Sequence, residues 1–274
     1  MFFDKFGGRS PESRSNQSKN NYTKLNNKLI LHIPHASTHF PHLDGFIVDS
    51  EVLEAEVLKL TDWYTDDLFF SSEDDMVKAE FSRVFCDVER FVDDSQEVMA
   101  QYGMGILYEK SDAGETIRML TPELRNTFLA EFYWKHHERL NNAVNNQLKL
   151  FGKALIIDCH SFPNTPFKRD LNKTANRPDF NIGTDPYHTP KYLIDLSVAF
   201  FERAGYTVGI DWPYKGSIVP LEHYQKNKNV ESIMLEINRS LYMQDPNNDI
   251  LENYIIVKEM IEDYIHAIKD TIRA

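Results

Sequence analysis

The tightest constraint in this sequence is a buried strand written without alternation. ALIID (154–158) runs four apolar residues together before its acid. A strand with one wet face alternates polar and apolar side chains, whereas one covered on both faces reads as a continuous apolar run. LILHI (29–33) and VESIMLEI (230–237) share this character, and YTVGI (206–210) is a β-branched run of similar length. Segments with helical spacing separate them. Val52, Leu53, Val57, Leu60, Tyr64 and Leu68 mark one over 50–70, and Leu124, Phe128, Phe132, His136, Leu140, Val144 and Leu148 mark a longer one. Thr121-Pro122 signals the start of that longer helix and Gly152 its end, Thr189-Pro190 and Gly205 bracket another, and Ile250 to Ile268 carry a last amphipathic one. This alternation predicts an α/β fold: a mixed, mainly parallel sheet with helices on both faces. Two further runs, 76–81 and 83–88, read as strands, and 91–120, with Gly103, Gly105 and Gly114, reads as loop.

Residues 1–27 are polar, rich in Ser, Asn, Lys and Arg, and without apolar period, which predicts a flexible arm ahead of a single domain over 28–274. Across 274 residues, 30 Lys+Arg stand against 42 Asp+Glu, a formal net charge of −12, which argues against a nucleic-acid partner. No run approaches the roughly 18 apolar residues of a membrane span, so no membrane partner is expected either. The start shows neither the apolar core nor the small-residue cleavage site of a secretory signal. Two cysteines, Cys86 and Cys159, rule out a disulfide framework and fit the cytoplasm, each reading as a buried thiol on a strand.

Ligands of open α/β sheets collect beyond the carboxyl ends of strands. LILHI runs into Pro34-His35, ALIID into Cys159-His160-Ser161, and SIMLEI carries Glu236 near its end, followed by Asn238 and Arg239. Two histidines and a carboxylate make a catalytic zinc site, with a further carboxylate free to act as base. Each residue also has a plainer reading, as a hydrogen-bonded strand-end histidine or a salt-bridged acid. His32, His39 and His42 surround His35, but Pro34 and Pro41 prevent one helical face from presenting all four. Arg83 and Arg90 flank Asp87 and Glu89 in FSRVFCDVERF, either as a structural ion network or as a clamp for a carboxylate or oxyanion, and Arg177 in NRPDFNIGT belongs to the same class. His137, on the long helix, reads as packed or supporting. No Walker loop, GxGxxG, HExxH, CxxC or GxSxG is present, and Ser161 beside His160 makes an awkward nucleophile pair.

LHIPHAST, TDWYTDDLF, FSRVFCDVERF, HHERL, ALIIDCHS, RPDFNIGT, PYKGSIV and MLEINRSLYM, in that order over 29–243, together resemble the N-formylglutamate amidohydrolase (formylglutamate deformylase) family. The resemblance implies a zinc-carboxypeptidase-like α/β fold and metal-dependent hydrolysis of a small N-acyl amino acid such as N-formyl-L-glutamate. It puts one Zn2+ on His35, Asp62 and His160, with Glu236 as general base. Arg90 or Arg83 then stabilises the oxyanion, and Arg177, Arg90, Asn238 and Arg239 bind substrate. Asp62 enters only through the TDW segment, since an acid in a helical stretch is ordinarily a solvated one. The family carries Asn where this chain has Glu89, an added acid that would oppose a dicarboxylate at the clamp. Two other readings share the same residues: a carboxypeptidase-like deacylase or peptidase, and a non-catalytic metal- or ligand-binding relative.

Overall fold

The computed structural model describes residues 28–244 and 247–273. The arm expected over 1–27 lies outside them. Six strands form one sheet: β1 Ile30–Ile33, β2 Asp75–Lys78, β3 Ala154–Phe162, β4 Phe180–Gly183, β5 Val208–Ile210 and β6 Val230–Asn238, in the order β2-β1-β3-β6-β4-β5. Every neighbouring pair is parallel except β4 and β6, which run antiparallel. The helices are α1 Ser50–Leu60, α2 Thr65–Leu68, α3 Pro122–Phe128, α4 Trp134–Phe151, α5 Lys191–Arg203 and α6 Tyr254–Arg273. Thr121 caps α3 by accepting the Leu124 amide, as its sequence signal implied, and a π-helical turn over Leu129–Tyr133 joins α3 to α4.

The period-2 geometry of strands divides the sheet into two faces. Leu31, Ile33, Leu155, Ile157, Cys159, Ile233, Leu235 and Ile237 pack with Leu193 and Phe201 of α5 and with Val257, Ile261 and Tyr264 of α6. Ile30, Ala154, Ile156 and Val230 face the other way, onto Leu140 and Val144 of α4. That second face continues toward the carboxyl ends of the strands as His32, Asp158, His160 and Glu236. Strand register then sets His32 beside Asp158 and His160 beside Glu236. Four polar groups thus share one buried surface because each holds an even position in an otherwise apolar strand.

One expected strand is absent. Residues 83–88 form tight turns, with the Phe85 and Cys86 amides both donating to the Ser82 carbonyl at 3.0 Å. Its apolar residues point to different sides because each of those sides is enclosed: Phe85, Cys86 and Val88 pack against Phe128 and Tyr133, while Val84 packs against Val57 and Leu60. Continuous apolar character reports envelopment, and a strand is only one way to achieve it. Among the described residues, no helix is long and apolar enough to cross a membrane.

Candidate metal centre

Pro34 ends β1, so His35 leaves the sheet directly above His160 and Glu236. The His35 carbonyl accepts the Asp62 amide at 3.0 Å, which ties the turn after α1 to the end of β1. Three side chains converge there. Asp62 Oδ2 lies 3.1 Å from Nδ1 of His160 and 3.5 Å from Nδ1 of His35. Tetrahedral zinc with ligands at about 2.0–2.1 Å needs ligand–ligand spacings of ~3.3 Å. His35, Asp62 and His160 are all buried, and Nδ1 of His35 has no hydrogen-bond partner. A two-imidazole, one-carboxylate set with a bare buried nitrogen fits a divalent metal.

The outward-facing ring nitrogens explain how the Nδ1 atoms are kept inward. His35 donates from Nε2 to Asp87 Oδ1 at 2.9 Å, which leaves Nδ1 unprotonated in the neutral ring. Asp87 also receives Arg83 Nη2 at 3.0 Å and the Tyr108 hydroxyl at 2.7 Å, with Arg90 Nε at 3.3 Å. Nε2 of His160 lies 3.2 Å from both Asp158 Oδ1 and Glu89 Oε2. Asp158 further accepts His32 Nδ1 at 2.8 Å and the Ile218 amide at 2.9 Å. Behind it, His32 Nε2 meets His136 Nε2 at 2.9 Å, and Arg139 Nη2 stands 3.4 Å from His136 Nδ1. Because Arg139 only donates, one proton order satisfies the whole row: Arg139 to His136, His136 to His32, and His32 to Asp158. His32, Glu89 and Asp158 also bring ligand atoms within 4.8 Å of one another. Their contacts with each other and with His160 make them an outer support for that ligand.

The charges reinforce this arrangement. Burial pushes Asp62 up, but hydrogen bonds from His160 and His35 and the nearby Arg83 hold its carboxyl well below the ordinary range. Burial disfavours a charged His160, yet the Glu89 and Asp158 carboxylates override it and keep the ring well above its usual value. The site therefore demands positive charge, which a proton or a metal dication supplies. Glu236 behaves oppositely: burial raises it to about 8, with Asp62 and Glu89 adding to the rise against the pull of His160 and Arg83. Its Oε2 is buried without a partner.

A cavity of about 170 Å3 opens over these groups and is lined by His35, Asp62, His160 and Glu236 together with Arg83 and Arg90. Three residues expected to bind substrate do not line it. Arg177 is engaged by Asp170, Tyr214 and the Pro163 and Asn172 carbonyls. The amide of Asn238 bonds Asn164 and the Pro178 carbonyl. Arg239 lies behind Asp62, donating to its Oδ1 at 3.0 Å. Arg169, Lys215, Tyr108 and Tyr214 line the cavity instead; Tyr214 and Lys215 fall in the PYKGSIV segment, while no sequence pattern marks Arg169 or Tyr108. Asp87 and Asp158 were visible as acids in apolar surroundings, without a sign of which histidine each would hold. Glu89, expected beside the arginines, turns its carboxylate to His160 and His32.

The family model for N-formylglutamate amidohydrolase matches residues 27–243. The N-formylglutamate deformylase of Pseudomonas putida is 28% identical over 231 residues, covering 79% of this chain and 82% of that protein. Its counterpart in Pseudomonas aeruginosa is 25% identical over 228 residues, with the same coverage of 79% and 82%. The crystal structure of N-formylglutamate amidohydrolase from Ralstonia eutropha superposes with a TM-score of 0.78 at 25% identity, covering 89% of this chain and 94% of that one. A gene product of Agrobacterium tumefaciens shares the fold alone, with a TM-score of 0.58 at 18% identity and coverage of 89% and 92%.

Proposed function

Because the chain belongs to the N-formylglutamate amidohydrolase family, we propose that it hydrolyses the N-acyl amide of an amino acid such as N-formyl-L-glutamate with one zinc ion. The observation that carries this reading is the convergence of two Nδ1 atoms and Asp62 Oδ2 in the cavity that also holds a buried, unpartnered Glu236. His35, Asp62 and His160 would hold the metal. Zinc bound there supplies Lewis acidity, lowering the pKa of water and polarising the acyl carbonyl.

The protein's own groups do the rest. Glu236 takes a proton from the attacking water at Oε2 and hands it to the amine nitrogen as the C–N bond breaks, so the products are a carboxylate, formate in the simplest case, and the free amino acid. Burial raises its pKa, and a dication held beside it would favour the carboxylate that accepts the proton. Arg83, which lines the cavity with its Nη1 3.7 Å from Asp62 Oδ1, would answer the negative charge that develops on the acyl oxygen. Arg90, held by Asp87 and Glu97, meets the substrate α-carboxylate. Burial disfavours the charge on both guanidinium groups, but the Asp87 carboxylate overrides it and keeps them charged.

The test is formate release from N-formyl-L-glutamate by zinc-loaded protein, run beside protein stripped by a chelator. Release only with metal is expected. No release from zinc-retaining protein would move the substrate to another N-acyl amino acid, and no release from any N-formyl amino acid would overturn the assignment.

A further inference from the structure

A second cavity, of about 290 Å3, adjoins the metal cavity and shares Glu89, Arg90, Lys215 and Met234 with it. A formyl group has no use for so large a space, so the lobe belongs to another part of the substrate. The covalent structure of an N-acyl amino acid says which part. The amide nitrogen and the α-carboxylate are both bonded to Cα, so a cation that holds the carboxylate while the amide lies over the metal ligands must border the metal cavity. Arg83, Arg90, Arg169 and Lys215 do so; with Arg83 at the acyl oxygen, Arg90 and Lys215 are the ones that also border the second lobe. The remaining substituent on Cα, the amino-acid side chain, then points from this junction into the second lobe.

The chemistry of the lobe is not that of a carboxylate site. Its wall beyond the junction includes Phe91, Tyr133, Ile218, Val219, Leu221 and Tyr224, and no Lys or Arg lines it except the two at the junction. The two acids there have their partners already: Asp158 accepts His32 and the Ile218 amide, and Asp185 accepts the Tyr187 and His188 amides. His137 lies with its Nε2 2.8 Å from the Val88 carbonyl, and burial pushes it down to about 4, so it is neutral at working pH. The loop over Gly216 closes one side because Gly183 lets it lie against the sheet; a Cβ at Gly183 would run into the Gly216 carbonyl oxygen and Met234. A γ-carboxylate entering this lobe loses its water and, with Arg90 and Lys215 turned to the α-carboxylate, finds no further cation, whereas an apolar group of matching size gains by burial. A dry cavity of about 150 Å3 already accommodates benzene.

Building on the amidohydrolase reading, we propose that the second lobe is the side-chain subsite and that it favours N-acyl derivatives of amino acids with a large neutral side chain, aromatic or long aliphatic, over those of glutamate.

The experiment compares kcat/KM of the zinc-loaded full chain for the N-formyl derivatives of L-glutamate, L-phenylalanine, L-leucine and L-alanine. Phenylalanine and leucine are expected to exceed both alanine and glutamate by at least tenfold. Leu221→Arg places the missing cation at a position that is 49% exposed, so the fold tolerates it, and is expected to lower the phenylalanine-to-glutamate ratio by at least tenfold. Turnover of glutamate equal to or above that of phenylalanine would leave the amidohydrolase reading standing and overturn the subsite. An unchanged ratio in Leu221→Arg would overturn it as well. Formate release from none of the four would sink the amidohydrolase reading itself, and the subsite with it.

Discussion

Arg239 divides the labour of the two Asp62 oxygens. Its Nη2 donates to Oδ1 at 3.0 Å, and Oδ2 is left to face His35 and His160. The guanidinium is fixed in turn by the Lys59 carbonyl at 2.8 Å and the Ser161 hydroxyl at 3.2 Å, and only 1% of the residue is exposed. A carboxylate free to rotate would offer either oxygen; one clamped from behind offers a single oxygen in one direction.

Replacing Arg239 by Lys keeps the charge and removes the fork. Metal affinity, measured by competition with a chromophoric chelator, is expected to fall about 10–100-fold, as it does when outer supports of metal ligands are lost. Arg239→Ala removes the cation hydrogen-bonded to buried Asp62, leaving only Arg83 at 3.7 Å, and should also lower unfolding free energy by about 3–5 kcal/mol. Unaltered metal affinity in both variants would refute the clamp.

Glu236→Gln preserves shape and removes the proton acceptor. Turnover should drop by about 100-fold or more while bound zinc stays at one per chain. A variant that loses its zinc as well would mean that Glu236 belongs to the ligand set.

His137 makes acid stability measurable. Its ordinary pKa of 6.5 is pushed down to about 4 by burial, so the unfolded chain binds a proton that the folded one refuses between those two values. Its contribution is complete above pH 6.5, shrinks as pH falls toward 4, and reaches at most about 3 kcal/mol of lost stability. Urea midpoints at pH 7 and pH 4.5 should differ less in His137→Gln than in the unaltered protein. Equal differences would show that the ring protonates in the folded state.

Both thiols should be silent. Burial pushes Cys86 and Cys159 far above the usual thiol range, with Asp87 and Asp158 adding to the rise. A disulfide reagent that reports free thiolate is expected to score none in native protein and two after unfolding. Fast native labelling would contradict the packing around either residue.

The sequence was most informative where a polar residue interrupted a fixed period. His160 and Glu236 stand out because strands alternate and neither belongs in a covered run, and the carboxyl-end rule then assigns them to one site. Asp62 obeys no such rule: it sits in a turn after α1, placed by a backbone bond to His35 across the fold, and only the family resemblance pointed to it. The same limit applies to Arg177, Asn238 and Arg239. Arg177 and Asn238 satisfy the loop and strand ends around them and Arg239 braces Asp62, and a one-dimensional pattern does not distinguish an arginine that braces its surroundings from one that lines a cavity. Residues 83–88 failed as a strand for a related reason, since complete burial erases the periodicity that separates a strand from a turn.

The reversed direction of β4 has a consequence for how such a site can change. β3 runs parallel to β6 and β4 antiparallel to it, so the end of β3 at Phe162 and the start of β4 at Phe180 lie at the same edge of the sheet. The segment 163–179 therefore leaves and returns at the rim of the cavity, to which it contributes Phe167, Arg169 and Asp170. Lengthening such an excursion costs little closure entropy, and no metal-ligand candidate rides on it. It is an exchangeable cassette: a lineage can rewrite what the cavity admits through this stretch while the strand ends that carry the chemistry stay as they are.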